Sequence, residues 1–307
     1  MGVKKMFKRI SLFILTNILV MIVGSFVINL VIQWFGLGPV MGQKGINYQT
    51  LMVICLGWGM VGSFISLWMS KWMAKSAYGV EIVSANGPYA ELVQTVHRLA
   101  RKASISGMPE VGVYHSPEIN AFATGATKNK SLVAVSTGLL EKMDKDEVEG
   151  VLGHEVAHIG NGDMVTMALV QGIVNAFVMF FSHLATIAID NLLRKDDDEG
   201  GGLGFFARHF VYMGFQVLFG ILAAPVVMGF SRWREYRADE GSAWLCGKDK
   251  MISALKALQR NYPQLSGPKE DSMAAFQISS KVSWAEIFSS HPTLEKRIKN
   301  LNKLNKI

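Results

Sequence analysis

The sequence predicts an α+β membrane protein, mainly helical, with a small antiparallel sheet and up to four transmembrane helices. Three observations carry this expectation. Long apolar runs recur along the chain, short β-prone runs cluster between residues 111 and 137, and only 18% of the 307 residues are charged while 50% are hydrophobic. Soluble domains carry about 25% charged residues, so this chain has too little polar surface for a purely soluble fold. A mean hydropathy of +0.25 agrees. The composition also excludes a disordered or collagen-like chain. Cys55 and Cys246 lie far apart in the sequence and give no disulfide framework, which suits a reducing compartment for the soluble part.

The first apolar run, Ile10 to about Gln33, exceeds the roughly 20 helical residues needed to cross hydrocarbon. It ends in Val31-Ile32-Gln33-Trp34-Phe35 without a small-residue cleavage site, so it reads as an uncleaved anchor. Gly2 is no myristoylation site, because Met6 stands where that pattern needs Ser or Thr. A second run, roughly Thr50 to Ser70, carries glycines with Trp58 and Trp68, as a span packed on a neighbour would. Met164 to Ile189 and Phe210 to Phe230 are further candidates. The first of these holds Gln171, Asn175 and His183 and the second holds Pro225, so these helices are expected to be partly shielded or at the membrane edge.

Basic residues near the spans set the orientation. Lys4, Lys5, Lys8, Arg9, Lys71, Lys75, Arg232, Arg234 and Arg237 fall on one side, against Lys44, Arg194, Lys195 and Arg208 on the other. The richer side is expected to be cytoplasmic, with both termini and the segment from about 71 to 163. The loop from Asp190 to His209, with its acidic run at 196–199, then faces outward as a solvated segment. The net charge of +7 is thus assigned to the lipid bilayer rather than to nucleic acid.

In the soluble part, Leu92, Val96, Leu99 and Ala100 share a helix period within Tyr89–Ala103, and Gly107-Met108-Pro109 ends it. Runs at 111–114, 120–124 and 132–137 predict the strands of the antiparallel sheet. Helical spacing returns from Leu139 through Gly162, then in Trp233–Cys246, Met251–Arg260 and Leu294–Leu304. The organisation expected is an N-terminal two-span anchor over 1–76, a cytoplasmic part over 77–163, a membrane part over 164–230 with its external loop, and a second cytoplasmic part over 231–307.

His154-Glu155-Val156-Ala157-His158 is an H-E-x-x-H pattern. Its histidines, four apart, project from one helix face and can bind one Zn²⁺ through imidazole nitrogens, with Glu155 beside them as a general base. A catalytic zinc site needs a third protein ligand. A Gly at 161 and a His at 164 would supply it in one class of such enzymes, but the chain has Asn161 and Met164. The better candidate is Glu235, which shares a helix face with Asp239, so that Glu235 can ligate while Asp239 holds the other nitrogen of a ligand histidine. The plainer reading of Glu235 is a surface ion pair with a neighbouring arginine.

Together with Asn120-Ala121-Phe122-Ala123 and Ser290-His291-Pro292 followed by Arg297-Ile298, these motifs resemble the HtpX family of heat-shock membrane proteases, relatives of the CAAX prenyl proteases. The resemblance covers essentially the whole chain. It implies a mainly helical zincin-type (gluzincin) catalytic domain and an inner-membrane zinc endopeptidase whose site faces the cytoplasm and degrades damaged membrane proteins or unfolded polypeptides. It implies His154, His158 and Glu235 as ligands of one Zn²⁺ per chain, Glu155 as base, and Asp239 behind the ligands. Asn120 and Phe122 would lie on an edge strand that holds substrate backbone. His291 would sit near the scissile carbonyl as an oxyanion donor, or else serve as a capping or core histidine. Arg297 would contact substrate, orient His291 or simply solvate the last helix.

Three rival readings remain. An intramembrane protease would bury its H-E-x-x-H in a span, whereas Asp144, Lys145, Asp146, Glu147, Glu149 and Asp163 surround this one. A CAAX-type prenyl-protein protease shares the chemistry but usually has more spans. A non-enzymatic four-span transporter would have no use for Glu155.

Overall fold

The computed structural model describes residues 48–193, 202–265 and 289–304. The first expected span, Ile10 to Gln33, and the acidic run at 196–199 lie outside the described residues. Chain contacts divide the protein into two compact units, one over 1–61 with 172–222 and the other over 62–171 with 223–307.

Three described helices are long and apolar enough to cross a membrane: α1 (Tyr48–Tyr78), α5 (Asp163–Leu193) and α6 (Phe205–Cys246). In the first unit, Met52 and Cys55 of α1 pack on Phe180 of α5. A Cβ on Gly59 would lie 2.5 Å from the Gly172 carbonyl oxygen, so the two backbones meet through small residues, as lipid-embedded helices do. Polar groups there find partners: the His183 ring packs on Tyr212, and Asp190 accepts from Arg208 at 2.6 Å and from the Leu203 amide. Phe206, Phe210, Val217 and Leu222 stay exposed, a surface suited to lipid.

The fourth apolar run and the Trp233–Cys246 helix, expected as separate elements, form the single 42-residue helix α6. Nothing between Phe230 and Trp233 breaks a helix, and a change from apolar to polar sequence leaves the backbone ladder intact. At 1.5 Å per residue α6 measures about 60 Å, twice the hydrocarbon thickness of about 30 Å. Its apolar part ends at Phe230, and the remainder belongs to the second unit.

The second unit is built on a four-stranded sheet of order β1 (Glu81–Ile82), β2 (Glu110–Tyr114), β4 (Ser131–Ser136), β3 (Ala121–Gly125). The small antiparallel sheet of the sequence reading is therefore corrected to a mixed one: β1–β2 and β3–β4 pair antiparallel, but β2 and β4 run parallel, Val111 opposite Val133. The chain leaves β2 through Ser116-Pro117 and returns by the β3–β4 hairpin, which inserts β4 beside β2 in the same direction. β4 is buried along its whole length, and its Leu-Val-Ala-Val run is that of a strand covered on both faces. On one face lie α2 (Ala90–Lys102) and α4 (Lys145–Asn161), with Val96, Leu99, Val133, Val135, Leu152, Val156 and Ile159 in one core. On the other, Tyr78, Tyr114 and Phe122 form a ring cluster with centroids 5.2–5.7 Å apart.

The helical stretch expected over 139–162 is split into α3 (Thr137–Lys142) and α4. Asp144 divides it: its side chain accepts from the Glu147 amide while Glu147 accepts from the Asp144 amide, a capping box that starts a new helix. α4 then packs against α7 (Lys248–Leu265) and α6 at near backbone contact. A Cβ on Gly150 would lie 2.5 Å from the Lys250 carbonyl oxygen, and the Ser242 hydroxyl of α6 donates to the Gly150 carbonyl at 2.8 Å. The last helix, α8 (Leu294–Lys303), is capped by the Thr293 hydroxyl and packs Leu301 among Ala243, Met251 and Leu255.

These close approaches give a measurable expectation. Gly150→Val overpacks the α4–α7 contact and lowers stability by about 1–3 kcal/mol, read as a fall in midpoint when the detergent-solubilised protein is heated. Gly214→Ala inside α6, where an added Cβ meets nothing within 4 Å, does not lower the midpoint and raises it slightly through helix propensity.

Candidate active site

The H-E-x-x-H motif lies in the second half of α4, so His154 and His158 fall one turn apart on one face. Both are buried, and their Nε2 atoms lie 3.1 Å from each other. The polar end of α6 brings Glu235 against them: Oε2 is 3.3 Å from His154 Nε2, and Oε1 is 3.3 Å from His158 Nε2. One ligand atom from each of the three residues falls within a 4.8 Å span.

The opposite ring nitrogens are held by carboxylates. His154 Nδ1 is 3.0 Å from Asp239 Oδ1, one turn beyond Glu235 on α6. His158 Nδ1 is 2.6 Å from Asp163 Oδ2. Asp163 reaches back because Gly162 ends α4 in the left-handed conformation, at φ 74°, and turns the chain directly into α5. A carboxylate at each Nδ1 selects the Nδ1–H tautomer, so both Nε2 lone pairs face the same point beside Glu235.

Arg297 of α8 closes the cluster from below. Its guanidinium donates to Asp239 through Nε at 2.8 Å and Nη2 at 2.6 Å, and Nη1 is 3.7 Å from Glu235. The sequence reading left Arg297 between substrate contact, support of His291 and solvent; the structure buries it on Asp239. His291 is mostly exposed, with Nδ1 2.9 Å from Glu235 Oε2. Glu155 is half-buried and lines, with His154, Glu235, His291 and Asn120, an open cavity of about 130 Å³. Asn120 stands just before β3 and is tied to β4 by its amide on the Ser136 hydroxyl and its carbonyl on the Ser136 amide. Phe122 is not brought to the cavity; it sits in the ring cluster with Tyr78 and Tyr114.

Burial opposes charge at His158, Glu235, Asp239 and Arg297, and their neighbours outweigh it. Burial alone would lower the pKa of His158, but the hydrogen bonds of Asp163 and Glu235 raise it to about 9. Glu235 is held far below the usual carboxylate range despite its burial, by His154, His158 and His291, and Asp239 is held down by Arg297 and His154. The Arg297 guanidinium is correspondingly held charged by Asp239. Three buried carboxylates, Glu235, Asp239 and Asp163, outnumber the one buried guanidinium around the two imidazoles. Glu235 Oε2 is fully buried with no donor well aligned on it. Such a donor set, two imidazoles and one carboxylate, fits a divalent metal ion and zinc in particular.

Asp163 was not picked out by the sequence reading. The available signal was a helix-ending glycine directly followed by an acid, five residues after the second histidine. Its role becomes visible only once the turn at Gly162 is in place.

Comparison with known proteins agrees with this geometry. The model for peptidase family M48 matches residues 87–305. Protease HtpX of Tolumonas auensis is 49% identical over 300 residues, covering 97% of this chain and 99% of that protein. The Acinetobacter baylyi protein of the same name is 50% identical over 307 residues, at 97% and 99% coverage. In fold, the chain is similar to the crystal structure of S. mikatae Ste24p, with a TM-score of 0.59 and 18% identity over 98% of this chain and 67% of that one. The non-enzymatic transporter reading falls with these matches. With the paired histidines and Glu235 inside the matched region and the likeness running nearly end to end, the chain belongs to peptidase family M48, in its HtpX group, and is a multi-pass membrane metalloprotease.

Proposed function

We propose that the chain is a zinc-dependent endopeptidase of the inner membrane that cuts damaged or misfolded membrane proteins and unfolded polypeptides at the cytoplasmic face, as part of the stress response. The observation that carries it is the convergence of His154, His158 and Glu235 within 4.8 Å beside a cavity lined by Glu155. His154, His158 and Glu235 would hold one Zn²⁺, with Asp239 and Asp163 fixing the two imidazoles. Zinc bound there would supply a Lewis acid and lower the pKa of water to about 7.

The remaining steps belong to side chains. Glu155 takes a proton from the attacking water and returns it to the leaving amine, so one carboxylate serves as base and then acid. The products are a new carboxylate and a new amine. His291, exposed beside Glu235, donates to the oxyanion that develops at the scissile carbonyl. β3, at the end of the sheet, with Ile119, Asn120 and Ala121 on the cavity, is the strand on which an extended substrate would pair its backbone. Backbone pairing accepts many sequences, which suits a quality-control enzyme.

The cytoplasmic face rests on the excess of Lys and Arg near the spans on the side of the site. The bilayer and its misassembled proteins are then the partners, and nucleic acid has no part.

The test is cleavage of an unfolded polypeptide by the detergent-purified, zinc-loaded protein beside Glu155→Gln. We expect the variant to keep its zinc and lose activity by about 10²–10⁴-fold. Equal activity in both would remove Glu155 from the mechanism, and no cutting by either would end the protease assignment of this site.

A second expectation concerns the metal. Asp163→Asn weakens the hold on His158 and lowers zinc affinity about 10–100-fold, measured by competition with a chromogenic chelator. Zinc needs the neutral imidazole of His158, whose pKa of about 9 means the proton is held below that pH. Affinity in the wild type therefore rises with pH up to about 9 and levels off above it, with proton release on zinc binding at pH 8.

A further inference from the structure

Three side chains of α6, Arg232, Glu235 and Asp239, fall on one helix face at i, i+3 and i+7. Two of them belong to the ionisable cluster, Glu235 beside both imidazoles and Asp239 behind His154. Arg232 reaches a different element: its Nη1 donates to the Ser289 carbonyl at 2.7 Å. Ser289 stands two residues before His291.

From Ser289 the hold passes to His291. The Ser289 hydroxyl donates to the His291 carbonyl at 2.7 Å and accepts from the His291 amide at 3.4 Å, which ties the two backbones into one turn. Downstream, Pro292 is buried, the Thr293 hydroxyl caps α8, and Arg297 of that helix returns to α6 through Asp239 at 2.6 and 2.8 Å. The segment over 289–297 is therefore fastened to α6 at both ends, at Ser289 by an arginine of α6 and at Asp239 by an arginine of α8. His291 stands between the two ties, with Nδ1 2.9 Å from Glu235 Oε2.

This fastening matters because the His291 side chain is 61% exposed, so packing does not fix its ring. A donor stabilises a developing oxyanion only when it is already in place, and a misplacement of about 1 Å can cost about 10²-fold. A guanidinium on a carbonyl makes a charge-assisted bond, roughly twice as strong as a neutral one. We propose that Arg232 is a positioning residue: through the Ser289 carbonyl it holds the His291 turn beside Glu235, so that the oxyanion donor is set before substrate arrives. It acts through His291 and not on the substrate. Arg232 and Glu235 lie within one turn of α6, so the backbone of that turn fixes the metal-binding carboxylate and the grip on the donor relative to each other. The inference rests on the reading of His291 as the oxyanion donor.

The experiment uses the full-length, zinc-loaded protein in detergent with one internally quenched peptide. kcat is taken per bound zinc, so a loss of folded or loaded protein cancels. His291→Ala should lower kcat about 10²–10³-fold. Arg232→Met keeps the stem and removes the donors; it should lower kcat about tenfold and leave KM within about twofold. Arg232→Lys, which restores one charged donor, should regain most of that loss. In the His291→Ala background Arg232→Met should have no further effect, because the group it positions is gone.

An unchanged kcat in Arg232→Met, a change confined to KM, or an equal further loss on top of His291→Ala would overturn the positioning role and leave His291 as the donor. If the wild type cuts the peptide and His291→Ala cuts it equally well, the oxyanion reading falls and this inference with it, while the protease stands.

Discussion

The structure depends on one constraint: a group of ionisable side chains is buried together and must be mutually satisfied. His154, His158, Asp163, Glu235, Asp239 and Arg297 are all nearly inaccessible to water. An isolated buried charge costs several kcal/mol, roughly, even after the protein relaxes around it, so none of these groups could occupy its place alone. Their pairing requires four segments to arrive at the same point: the end of α4, the first residue of α5, the polar part of α6 and the first turns of α8.

Close packing is what allows that arrival. α4 is the hub, and its small residues face its partners: Gly150 toward Lys250 and Ala254, Gly153 toward Ser242 and Cys246, and Ala157 toward Gly241. With a side chain of ordinary size at these positions α6 would stand further off, and Glu235 would not reach both imidazoles. The sheet contributes from the opposite face, where β4 and β2 hold Leu152, Val156 and Ile159 of the same helix. The metal-binding face and the sheet-binding face of α4 thus differ by a rotation about its axis, and the glycines lie between.

Much of this was legible in the sequence, and the exceptions have physical reasons. The H-E-x-x-H spacing places two imidazoles on one helix face whatever the fold, and the Glu235–Asp239 spacing does the same for two carboxylates. Helix and strand positions came within a few residues because apolar periodicity is local. Strand order is not local: the parallel pairing of β2 with β4 depends on where the β3–β4 hairpin turns back, and no residue of either strand encodes it. The motif around Phe122 places it near substrate, yet which side of a strand faces the cavity is fixed by packing. Phe122 alternates to the Tyr114 face, while Arg297 lines the cavity with its guanidinium held on Asp239. Glu235 itself could have passed for a surface ion pair, since Arg234 Nη2 does lie 3.4 Å from it.

The site and the membrane helices are also continuous in the chain, and this bears on how the enzyme can work. Asp163, which holds His158, is the first residue of α5, a helix long and apolar enough to span. Glu235 and Asp239 lie on α6 beyond its apolar stretch, with no break between. Two of the three elements that supply or orient the ligands are therefore the ends of candidate spans. In a soluble protease the metal site can be fixed by the catalytic domain alone. Here two of its supports continue directly into helices long and apolar enough to span a membrane.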